Sequence, residues 1–160
     1  MSDSYTRTTL FLDFDGVTHP ELSLEKNHFR CLPSIEEVLR ELPQVDVVIS
    51  STWRLRHNLQ ELRHFFSHDI APRVVDITPH DLDPGDMPSK LMGYPRHAEC
   101  WQWMRLHRAA SDNWVALDDR PWLFRPHFAG LVVSNMYTGV DLAVLDTLKS
   151  KLLETERRYC

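Results

Sequence analysis

Residues 8–20, TTLFLDFDGVTHP, constrain the fold more than any other part of the chain. Residues 8–14 are β-branched, apolar or aromatic apart from Asp13, and Gly16 closes the run. That length and composition predict a buried strand. Its end carries two carboxylates, Asp13 and Asp15. An ionised carboxylate in apolar surroundings is costly unless positive charge neutralises it, so a core strand ending in two acids points to a cation at its C-terminal edge. In open α/β sheets that edge is where ligands bind. Strand alternation would turn Asp13 and Asp15 to one side, onto a common site, and Phe14 back into the core. Gly16 permits a sharp turn and a close approach of a ligand to the backbone.

Residues 33–42, PSIEEVLREL, predict a helix. Pro33 or Ser34 opens it, Glu36 and Glu37 suit its first turn, Ile35, Val38, Leu39 and Leu42 share a face, and Pro43 stops it. Residues 45–50, VDVVIS, predict a second buried strand, followed by the hydroxyls Ser50, Ser51 and Thr52. Leu55, Leu59, Leu62, Phe65 and Phe66 predict a helix over 53–66. A hydroxyl where a strand meets a helix can donate to a phosphate oxygen alongside the first helical amides, or it can cap the helix. Residues 73–77 fit a short strand, and 78–95, TPHDLDPGDMPSKLMGYP, a loop. His80, Asp81, Asp83 and Asp86 in that loop lack the spacing of an EF-hand and read as solvated.

Residues 96–110 predict a helix with Trp101, Met104 and Leu106 on its apolar side and Trp101 and Trp103 as packing residues. Arg96 opens it, where a cation opposes the helix dipole unless an anion lies nearby. Residues 114–117 predict a short strand that again runs into two acids, Asp118 and Asp119. Residues 131–134 form a last strand, and 140–157 a helix with Leu142, Val144, Leu145, Leu148, Leu152 and Leu153 mostly on one side. His19 and His28, in the proline-punctuated segment 17–32, read as surface residues, and Arg54, Arg56 and Arg63 as a solvated helix face. Strands alternating with helices predict an α/β fold, a three-layer α/β/α Rossmann-like parallel sheet. Two acid-ended strands, with a hydroxyl-ended strand between them in sequence, predict one shared pocket. Four carboxylates so close require a divalent cation, and oxygen ligands favour Mg²⁺.

DFDGV at 13–17, SST at 50–52, a cation at 90 or 96, and the apolar run ending in Asp118 and Asp119 occur in that order. Together they resemble the four motifs of the haloacid dehalogenase (HAD) superfamily over roughly residues 8–155. SSTWR and WVALDDRPW are further similar to the compact HAD domains associated with RNA-repair multidomain proteins. By this resemblance Asp13 attacks phosphorus and Asp15 is the general acid/base. Ser51 holds the phosphoryl group, with Ser50 and Thr52 as alternatives, and Arg96 is the phosphate-facing cation, with Lys90 as its rival. The resemblance gives Mg²⁺ to the Asp13 side chain, the Asp15 carbonyl and Asp119, directly or through water, with Asp118 behind. The chain departs from the family where a further acid four residues beyond the acid pair is absent from 124–127.

The segments 17–32 and 67–95 are short, which implies at most a minimal cap and an open site. The expected reaction is Mg²⁺-dependent hydrolysis of a phosphomonoester, either a small molecule or a nucleic-acid end. A HAD-like module that binds phosphate or Mg²⁺ without turnover is the rival, and phosphoryl transfer to another acceptor is a variant. Dehalogenation needs neither Asp15 nor the acid pair.

At 160 residues one domain is expected. The net charge of −5 disfavours non-specific nucleic-acid binding. Three widely spaced cysteines, Cys31, Cys100 and Cys160, suggest neither a disulfide framework nor a zinc site and fit a reduced, cytoplasmic location. Residues 1–9 lack a signal-peptide core, and no run approaches the roughly 20 apolar residues of a membrane span.

Overall fold

A computed structural model describes residues 7–108 and 113–157. Its organisation follows from alternation along strand β1 (Thr8–Leu12), which is buried throughout. Leu10 and Leu12 join one hydrophobic cluster, and Phe11 joins a second. Strands β2 (Val45–Ile49) and β4 (Trp114–Asp118) flank β1 and sort the same way. Val47, Ile49, Val115 and Leu117 lie with the leucines, while Val48, Trp114 and Ala116 lie with Phe11. Both faces of the central strands are therefore covered, as a parallel sheet requires.

Strands β3 (Val74–Ile77) and β5 (Leu131–Val133) complete a five-stranded sheet in the order β3-β2-β1-β4-β5, with every pairing parallel. On the leucine face pack helices α1 (Leu32–Glu41), α2 (Leu59–Arg63) and α4 (Leu142–Arg157), through residues such as Ile35, Leu62 and Leu148. Helix α3 (Pro95–His107) covers the Phe11 face with Cys100, Trp103 and Met104. The predicted three-layer α/β/α Rossmann-like arrangement is what the chain adopts. Chain order reverses between β1 and β4, so the topological switch point lies at the ends of the two strands that run into acids. Between β1 and α1 the chain makes turns and one 3₁₀ turn (Glu25–Asn27). Between β3 and α3 it makes two more (Pro84–Asp86 and Ser89–Leu91), and among the described residues no cap domain is inserted at either place.

Several predicted elements differ. The helix expected over 53–66 is broken in two. A 3₁₀ turn (Thr52–Leu55) comes first, capped by the Ser51 hydroxyl, which accepts from the Trp53 amide at 3.3 Å. Asn58 then restarts the chain as α2 through a capping box with Glu61. On α3, Met104 and Trp103 are buried, as expected of an apolar-side and a packing residue, but Leu106, also expected on the apolar side, is 63 % exposed. Trp103 stands edge-on to Phe11 at 5.7 Å and donates its indole N–H to Asp76 at 2.8 Å. The predicted end of this helix, 109–110, and Cys160 lie outside the described residues. Cys31 and Cys100 are free thiols, and no described helix is long and apolar enough to cross a membrane.

Because Trp103 fills the Phe11 face and Leu106 faces solvent, Trp103→Ala should destabilise the fold by about 3–5 kcal/mol. Leu106→Ala should change stability by no more than about 0.5 kcal/mol. Denaturant unfolding of both variants, with matched m-values, checks the contrast.

Candidate active site

Strand β1 ends at Leu12, and the next residue stays in the ladder: the Asp13 amide donates to Leu117 O at 3.1 Å. On the other side, the Ser50 amide donates to Leu12 O at 3.0 Å. Asp13, Ser50 and Asp118 therefore stand level at the C-terminal edge of three adjacent strands. Asp13 and Asp118 continue the Phe11–Ala116 face, the face covered by α3. Asp13, Asp118 and Asp119 are buried, and each offers a carboxylate oxygen within 4.8 Å of the others.

Their surroundings separate them. Asp118 is fully engaged: Oδ2 accepts from Arg96 Nη1 at 2.8 Å and Oδ1 from the Arg120 amide at 2.9 Å. Asp13 Oδ1 lies 3.4 Å from the same Arg96 nitrogen. Both oxygens of Asp119 are buried with no hydrogen-bond partner among the described residues. Burial first, and then the neighbouring charge of Asp13, pushes the Asp118 carboxyl up to about 7. Burial, then Asp13 and Asp118, pushes Asp119 up to about 8. Gly16 closes over this group at φ +75°, and a Cβ there would stand 2.2 Å from Asp119 Oδ2. Its carbonyl is held by the Ser134 hydroxyl at 2.6 Å.

Arg96, in the first turn of α3, explains its own position by facing two carboxylates. Burial works against the cation, and Asp13 and Asp118 overcome it, so its pKa is raised. Lys90 is exposed, and among the described residues no ion pair joins it to the acids. Behind Arg96, Glu99 lies 3.8 Å away and pairs in turn with Arg54. Arg54 is buried and donates to the carbonyls of Ser50, Ser51 and Thr78 at 2.9, 3.0 and 3.0 Å. This corrects the solvated helix face expected for Arg54. Residue 54 lies in the 3₁₀ turn and not in an α-helix, and the guanidinium is drawn inward by carbonyls at the ends of β2 and β3. Asp13, Glu99, Asp118 and Asp119 thus face two guanidiniums, a formal imbalance equal to the charge of one divalent cation.

Ser51 is fully buried, whereas Thr52 is exposed on the rim of a neighbouring cavity also lined by Arg54 and Arg96. The Asp15 carboxylate does not join the three acids. Oδ1 meets His19 Nε2 at 2.9 Å and Oδ2 accepts from Trp53 Nε1 at 3.1 Å. Alternation could not have placed it, because β1 stops at Leu12 and Gly16 takes a left-handed turn. His19 is buried, not a surface residue. The Phe29 amide donates to its Nδ1 at 3.1 Å, which assigns the proton to Nε2 and makes His19 the donor to Asp15. The hydrogen bond to His19 lowers the Asp15 pKa, that to Trp53 adds to it, and partial burial opposes both. His19, Trp53, Arg54 and Glu99 carried no sequence signal of their role. His19 meets Asp15 across a tight turn, and Arg54 meets a residue 45 positions further along the chain in Glu99.

Residues 9–143 match the family model described as the HAD domain in Swiss Army Knife RNA repair proteins. The chain belongs to this family. The search of curated proteins and the search of solved structures found no match. In this HAD domain every residue of the acidic edge, from Asp13 to Asp119, falls within the matched span.

The raised carboxyls give the metal-free HAD domain a defined pH response. Asp118 and Asp119 titrate at about 7 and about 8 when folded, against 3.8 ordinarily. Between those values the folded state binds more protons than the unfolded one, so unfolding free energy falls as pH rises from about 4 to about 8. The slope is at most about 1.4 kcal/mol per pH unit for each carboxyl. Asp119→Asn should flatten it, and so should saturating Mg²⁺. Thermal melts in EDTA and in Mg²⁺ across this range check both.

Proposed function

We propose that the domain hydrolyses phosphomonoesters in a Mg²⁺-dependent reaction with Asp13 as nucleophile. The phosphorylated end of an RNA is the proposed substrate class, since the family is described from RNA repair proteins. The observation that carries this reading is Asp119, whose two buried oxygens have no hydrogen-bond partner among the described residues and lie beside two further carboxylates. An all-oxygen, negatively charged donor set of this kind suits a hard divalent cation. Asp13 and Asp119 would hold it through their side chains, together with the Asp15 carbonyl. Asp118, already committed to Arg96 and the Arg120 amide, would stand behind them. When bound, Mg²⁺ supplies the positive charge that lets an anionic phosphate approach an anionic nucleophile.

The chain's own residues account for the remaining steps. An Asp13 carboxylate oxygen forms a bond to phosphorus while the bond from phosphorus to the leaving oxygen breaks, giving an aspartyl-phosphate. Asp15 gives a proton to the leaving oxygen. In the second half it takes a proton from water, whose oxygen attacks phosphorus, releasing phosphate and restoring Asp13. His19 and Trp53 hold Asp15 ionised, the form the second half requires. A phosphate dianion beside it exerts the opposite push, favouring the protonated form that the first half requires. The Ser51 oxygen accepts from the Trp53 amide, so its own hydrogen is available to a phosphate oxygen. Arg96 adds positive charge on the α3 side.

Asp13→Asn should reduce phosphate release roughly 10³-fold or more, and EDTA should suppress the wild-type reaction. Asp15→Asn should lose roughly 10²–10⁴-fold on an alkyl phosphate, whose leaving group needs a proton. In kcat/KM, which reports only the steps up to departure of the leaving group, it should lose much less on p-nitrophenyl phosphate, whose leaving group does not. Steady-state phosphate release on both substrates separates the roles; an unimpaired Asp13→Asn enzyme would refute the nucleophile assignment.

A further inference from the structure

Beside Asp15 the chain gathers rings from three separate turns. Phe29 and Phe65 stack at 4.3 Å, and Trp53 and His57 stack at 5.6 Å. His28 meets Trp53 edge-on at 5.3 Å. Buried Phe14 supports them from below, edge-on to Phe29 at 5.0 Å and to Trp53 at 5.6 Å. Rings that served only to pack a core would be closed over. These are all part-exposed, and together with Glu25 they line a groove of about 480 Å³. That volume is within the range of small-ligand sites.

The groove is continuous with the chemistry through one residue. Trp53 lines it and also donates its indole N–H to Asp15. Asp15 is the group that must reach the leaving oxygen, so the leaving part of the substrate passes over Trp53. The groove is lined mainly by aromatic and imidazole rings, which suit planar groups, and neither Lys nor Arg lines it, which disfavours a run of phosphates. The ring nitrogens of His28 and His57 and the Glu25 carboxylate offer hydrogen-bonding partners for the edge of a base.

We propose that this groove seats the base of the nucleotide whose terminal phosphate is presented to Asp13; the proposal rests on the phosphomonoesterase reading above. The same base could arrive on a free mononucleotide or on an oligonucleotide end. The test uses the full chain with Mg²⁺ and the variants His57→Ala and Phe65→Leu. Their substrates are adenosine monophosphate (3′ and 5′), a phosphorylated oligoadenylate and ribose 5-phosphate, which has no base. For at least one adenine substrate the KM should rise roughly 5- to 150-fold in the variants, the loss of one base–aromatic stack. Ribose 5-phosphate should keep its wild-type constants. An effect on the mononucleotide identifies a free nucleotide as the source, and one confined to the oligonucleotide identifies a strand end; either upholds the subsite. Equal wild-type KM for adenine substrates and ribose 5-phosphate, unmoved by the variants, overturns it. His57 is at the surface, so His57→Ala keeps the test open if Phe65→Leu does not fold. If no phosphomonoester is hydrolysed, the catalytic reading fails separately. Quenching of indole fluorescence by adenosine monophosphate or the oligoadenylate in Asp13→Asn then decides the groove: quenching that His57→Ala removes upholds it, and no quenching overturns it.

Discussion

Arg96 is buried between Asp13 and Asp118, and the geometry of the whole acidic edge follows from that placement. A guanidinium this deep is tolerable only against anions, and anions this close to one another are tolerable only against a cation. The guanidinium sits in the first turn of α3, so the pairing fixes that helix against the ends of β1 and β4. Glu99 and Arg54 extend the alternation of charge to the carbonyls that end β2 and follow β3. The ends of four strands and the start of one helix are thereby held in a single polar network. A network of this kind is stable only if each member is satisfied, and among the described residues Asp119 has no hydrogen-bond partner. That unfilled demand, beside a surplus of negative charge, is the physical basis for placing a divalent cation there.

The sheet explains why these groups meet at all. Parallel strands bring their C-terminal ends to one edge, and the order β3-β2-β1-β4-β5 puts the reversal between β1 and β4. Gly16 completes the pocket by lacking a side chain where one would strike Asp119. Asp15 belongs to a different environment. It hangs from His19 and Trp53 at the border between the polar edge and the aromatic cluster over Phe14. The nucleophile and the acid/base in the proposed chemistry thus have distinct surroundings, one electrostatic and one aromatic. Separate environments are what allow two carboxylates two residues apart to take separate roles.

Much of this was legible in residue order alone. The runs read at 8–14, 45–50 and 114–117, which end in or run into acids or hydroxyls, determined the parallel α/β sheet and the edge at which its polar residues collect. They did so because a strand buried on both faces leaves its polar residues only at its ends. Leu106 and the broken helix at 56–58 were not legible. Periodicity reports which residues could share a face, while the position of α3 on the Phe11 face decided that Leu106 is turned to solvent. Arg54, His19 and the direction of the Asp15 carboxylate were decided by tertiary structure for the same reason. Each depends on a partner brought near by a turn or by a distant helix, and the sequence states which charges must be neutralised but not which neighbour will do it.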